Sequence, residues 1–69
     1  MIIYLVKAIN ILKVGFDYEN QILEIEFRLN VMHHYFEVPL DGFVAFMKAD
    51  DVDEFYFNFI QYNYHFDSF

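Results

Sequence analysis

Three histidines and a run of acids are the side chains of this 69-residue chain best suited to chemistry. His33 and His34, with His65 further on, invite a metal reading, because imidazoles and carboxylates ligate zinc and nickel. Neighbours on a strand point to opposite faces, however, so His33 and His34 cannot chelate one ion together. No His-x-x-x-His spacing and no cysteine supports a site. The expectation is one inward and one solvent-facing histidine, and no metal. Asp50, Asp51, Asp53 and Glu54 lack the glycine and the regular oxygen spacing of a calcium loop. Nucleophiles are equally scarce: there is no thiol, no threonine, and a single serine, Ser68. Gly15 and Gly42 alone cannot cradle a phosphate. Neither catalysis nor a cofactor is expected.

Charge narrows the partners. Residues 1–36 hold three bases and four acids, a net of −1, while residues 37–69 hold Lys48 against seven acids, a net of −6. Nucleic-acid binding draws much of its affinity from neutralising phosphates with Lys and Arg. A chain at −7 with neutral histidines favours basic protein partners instead. The start, Met1 to Val6, is apolar but lacks a basic leader and a small-residue cleavage site. No apolar run approaches the roughly 20 residues that span a bilayer. The cytoplasm is the expected compartment, with no membrane association.

The elements that must position these residues read as a single small α+β domain, its core at about 9–66. Residues 9–16 form a first strand, ending at a turn, Asp17-Tyr18-Glu19-Asn20. Residues 21–28 are the clearest strand: Leu23, Ile25 and Phe27 alternate with Glu24, Glu26 and Arg28. A tight turn follows at Leu29-Asn30, Asn30 being the residue that tolerates positive φ. Residues 31–37 pair back, completing a three-stranded antiparallel meander. Two helices follow, a βββαα order. The first spans about 39–48, opened by Pro39, with Leu40, Phe43, Val44 and Met47 facing inward. The second spans about 52–62, capped by Asp51 with Glu54 in a capping box. It turns Val52, Phe55, Tyr56, Phe59 and Ile60 inward. The aromatic tail, residues 63–69, packs back on the domain.

A chain this short buries only about 60% of the surface its unfolded form exposes. Yet 58% of its residues are hydrophobic and 23% aromatic. Ten of the sixteen aromatics fall after residue 36, more than two short helices can hide on one sheet. Phe57, Tyr62 and Phe69 are the ones expected outside. Exposed aromatics anchor protein interfaces. They also stack on bases, but such platforms come with a basic groove, which this chain lacks.

The order of these landmarks resembles the KTSC domain, a short module named after the C-terminal extension of some lysyl-tRNA synthetases. The resemblance runs from about Ile11 to Phe66. Val14-Gly15-Phe16-Asp17 is similar to the family's opening Val-Gly-Tyr-Asp, and Leu23 to Phe27 to its second strand. His33-His34-Tyr35 falls on the central Tyr-x-Tyr, and Val38-Pro39 on the Val-Pro that begins the helix. Ala49, Ile60 and Tyr64 fit the closing segment. The resemblance implies a small strands-then-helices domain of unassigned activity, with RNA binding suggested by the synthetase association. The chain departs from the pattern at His33, at Asn30 for the hairpin glycine, and at Asp51-Val52-Asp53 for a Ser-x-Gly stretch. Gln61 and Asn63 stand where bases are usual.

Two readings follow. The first is a non-catalytic interaction module that binds itself or a basic protein through Phe57, Tyr62 and Phe69 beside the acids Asp53 and Glu54. The second, carried by the resemblance, is single-stranded RNA or tRNA recognition on the sheet. Tyr35 and His33 would stack there and Arg28 would contact a phosphate. Tyr35 also reads simply as a core tyrosine.

Overall fold

The computed structural model describes all residues 1–69. Its sheet has five strands in sequence order, every neighbouring pair antiparallel. They are β1 (Ile2–Leu5), β2 (Ile11–Asp17), β3 (Ile22–Phe27), β4 (Val31–Tyr35) and β5 (Phe66–Ser68). Helix α1 is Leu40–Lys48. Helix α2 covers residues 52–63, with α-helical ends Val52–Phe55 and Gln61–Asn63 around a π-helical middle, Tyr56–Ile60. The expected three strands and two helices are present in order. The meander, however, is extended by one strand at each edge. The apolar start supplies β1, and the tail that packs back does so as β5.

The two chain ends become strands because β2 and β4 offer open edges to pair with. Ile2 to Leu5 run unbroken opposite Phe16 to Lys13, and Phe66 to Ser68 run opposite Tyr35 to His33. The first strand of the meander starts two residues later than residue 9, because Ile9 and Asn10 are held in a bend. A register shift between Ile11 and Lys13 lets Ile11 and Val14 both bury, although they are three residues apart. On β3 the alternation holds: Leu23 and Ile25 are fully buried. The hairpin between β3 and β4 turns with positive φ at both Leu29 (71°) and Asn30 (62°).

Both helices lie on one face of the sheet. Phe43 of α1 stacks on Phe16 of β2, centroids 4.3 Å apart and planes 4° from parallel. Phe46 is fully buried and meets Phe55 of α2 at 5.9 Å. The buried stripe of α1 is thus Phe43 and Phe46. Leu40 and Val44, expected inside, are exposed, because α1 must touch both the sheet and α2 and is rolled toward the latter. Asp51 caps α2 as expected, its carboxylate accepting from the Glu54 N–H at 3.0 Å. Within α2 the π segment is closed by a Gln61 N–H to Tyr56 carbonyl bond. It keeps Tyr56 and Ile60 on the core side and turns Phe59 out, against the expectation for a regular helix.

Candidate binding surface

Strand alternation puts Val31, His33 and Tyr35 on the helix-covered face of β4, and Met32 and His34 on the uncovered one. Tyr35 is fully buried. Its hydroxyl is hydrogen-bonded to the Tyr56 hydroxyl from the π segment of α2, and to His33 Nδ1 at 3.0 Å. The result is a three-membered polar chain, His33–Tyr35–Tyr56, inside an aromatic wall. The His33 ring stacks on Phe66 at 4.6 Å and meets Phe27 edge-on at 4.9 Å. Burial pushes the His33 imidazole below its usual 6.5. Burial, aided by the hydrogen bond from Tyr56, pushes the Tyr35 phenol well above the ordinary tyrosine range. Tyr56 is raised by burial too, partly offset by Tyr35. All three shifts favour the uncharged form of these side chains.

The three residues of the sheet-face RNA reading are placed as follows. Tyr35 has no exposed ring on which a base could stack, and the His33 ring is clasped between Phe27 and Phe66. Arg28 is exposed and also holds the backbone: Nε donates to the Ile9 carbonyl at 2.8 Å and a terminal nitrogen to that of Ala8 at 3.3 Å. Both positions matched to the central Tyr-x-Tyr lie on the helix-covered face, Tyr35 fully buried and His33 half-buried along the groove.

Above the polar chain lies a groove of about 340 Å³, with Phe27, Leu29, Val31, Tyr56 and Phe57 as its apolar walls and Arg28 at its rim. Leu29 is 93% exposed, at the tip of the hairpin. Phe57, one of the aromatics expected outside, is half-exposed here and rests edge-on against Tyr56 at 5.3 Å.

The other expected partner residues are placed elsewhere. Tyr62 is 79% and Phe69 68% exposed. Phe69, however, lies beyond β5 on the uncovered face, against His34 at 4.8 Å, so it and Phe57 do not share a surface. His34 also pairs with Glu24 at 2.7 Å. The carboxylate of Asp53 is occupied within the domain, accepting from the Ile9 and Asn10 N–H groups at 2.6 and 3.0 Å. Asp53 and Arg28 together fasten the bend before β2, and Glu54 stays exposed on the first turn of α2. Sequence reasoning missed Leu29 and Val31. The signal available was a leucine in a turn position where glycine, asparagine or aspartate is usual.

Comparison with known proteins places this geometry. The family model for the KTSC domain matches residues 8–64. The crystal structure of a KTSC domain protein from Yersinia pestis is similar to the whole fold, with a TM-score of 0.92 at 28% identity. The match covers 97% of this chain and 94% of that one. No curated protein matches the sequence.

Proposed function

The chain belongs to the KTSC domain family, and from that premise we propose a non-catalytic binding module that receives a basic, apolar segment of a protein partner in the Leu29–Phe57 groove. One observation carries the reading. Leu29 holds φ at 71° while 93% exposed, a conformation that costs a non-glycine residue on the order of 1 kcal/mol or more. Nothing packed against Leu29 inside the domain offsets that cost. An exposed apolar side chain kept at a strained tip beside an apolar groove has the form of a docking contact. The groove itself carries Arg28 and no acid, so the preference for a partner carrying Lys or Arg comes from the long-range field of a domain at −7.

The test is a titration of the isotope-labelled domain, followed by amide shifts, with a lysine- and leucine-containing peptide and separately with mixed-sequence single-stranded RNA at low salt. The peptide is expected to move the amides of Leu29, Val31 and Phe57, and Leu29→Gly to abolish those shifts. Unmoved groove amides with the peptide, or salt-sensitive shifts at Arg28 and His33 with RNA alone, would overturn the reading.

A further inference from the structure

The two edges of the sheet are built differently. At one edge, β5 is three residues long and carries Asp67 and Ser68, the short charged form that discourages strand addition. At the other, β1 is Ile2-Ile3-Tyr4-Leu5, with no charge, no proline and no bulge in its register with β2. Ile2, Ile3 and Leu5 are exposed, Leu5 to 79%. Side chains of the strand are packed on both faces of the sheet. Gly15 lacks a Cβ that would meet Met1 Sδ and Ile3 Cδ1 at under 3 Å, so Met1 and Ile3 lie over it on the uncovered face. On the covered face the Tyr4 ring meets Phe43 at 5.7 Å and its hydroxyl bonds that of Tyr18 at 2.9 Å. An edge so preorganised loses little entropy on pairing.

Charge selects the occupant. Two copies at −7 repel over most of their surface, but residues 1–16 contain Lys7 and Lys13 and no acid. Lys7 leads away from one end of β1. At the other end Ile2 lies opposite Phe16, from which the chain runs into Asp17 and then the exposed Glu19. The Asp17 carboxylate is held by Asn20 and the Glu19 N–H and lies near the N-terminal ammonium, so Glu19 is the free acid at that end. Antiparallel pairing of two β1 strands about a two-fold axis turns the Lys7 end of each copy toward the Asp17–Glu19 end of the other. Lys7 and Glu19 form no ion pair within the protomer. We propose that a second copy of this chain adds to β1, giving a symmetric dimer with one continuous sheet. This surface is separate from the groove above, so either can fail without the other.

Sedimentation equilibrium over about 10 μM to 1 mM tests it. The wild type is expected to pass from monomer to dimer. Leu5→Glu, at an exposed position opposite Lys13 where folding tolerates a carboxylate, is expected to weaken the dimer about tenfold or more, because it puts a hydrated charge on the apolar edge at the end turned toward the partner's Glu19. Lys7→Glu should weaken it, and Lys7→Glu combined with Glu19→Lys should restore it. A monomer at every concentration overturns the proposal, whatever other strand is later found on β1. So does a dimer indifferent to Leu5→Glu, which would place the interface elsewhere.

Discussion

The hydroxyls of Tyr35 and Tyr56 are hydrogen-bonded to each other in the domain interior, joining β4 to the π segment of α2. Both side chains are buried, and no buried side-chain polar atom in the domain lacks a partner. The bond fixes where α2 sits on the sheet, and with it the floor of the groove beneath Phe57.

Tyr35→Phe is expected to cost about 1–3 kcal/mol, since it leaves the Tyr56 hydroxyl buried without its partner. Tyr56→Phe should cost less, because Tyr35 keeps His33 Nδ1. The double variant should cost less than the sum. Urea unfolding of the four proteins measures that coupling.

The same pair resists alkali. Their phenols are raised above the usual tyrosine value of 10.0, so the unfolded chain loses those protons first and stability falls as pH climbs past about 10. Absorbance titration of tyrosinate should show two tyrosines that ionise only with unfolding. Full titration of all six while the far-ultraviolet signal stays native would contradict this.

His33 produces the opposite slope at the acid end. Its folded value lies below 6.5 because of burial. As pH falls through 6.5 the unfolded state takes up a proton that the native imidazole refuses, and stability drops. The contribution is complete above about pH 6.5 and is lost below it. Denaturant midpoints between pH 7.5 and 5 should decline for wild type and decline less for His33→Phe.

Asp53→Ala is expected to lower stability by about 1–2 kcal/mol through loss of its two bonds to the bend before β2. Hydrogen exchange offers the sharper readout: the Ile9 and Asn10 amides should lose protection while those of β3 keep theirs.

Leu29→Gly should raise stability by about 0.5–1 kcal/mol, because glycine occupies positive φ without a Cβ clash. Thermal unfolding checks the sign. A stability gain coupled to lost peptide binding is the pattern of a residue retained for contact rather than for folding.

What could be read from residue order alone was whatever short-range geometry dictates. Leu23, Ile25 and Phe27 declare a half-buried strand by their spacing, His33 and His34 must diverge on any strand, and Asp51 caps whatever helix follows it. The family pattern rested on the same local marks. Position after folding was another matter. Ile2 to Leu5 carry no alternation of their own and become a strand only because β2 leaves an edge open. Asp53 looks like one more capping acid until the bend at Ile9 comes within its reach. Tyr35 reads as base platform or core residue alike until Tyr56 arrives from twenty-one residues further along the chain. Hydrophobic period and helix caps act over three or four residues, so the linear order contains them. Edge pairing, helix roll and the hydroxyl partner of Tyr35 depend on groups distant in the chain, and only the packed structure brings those together.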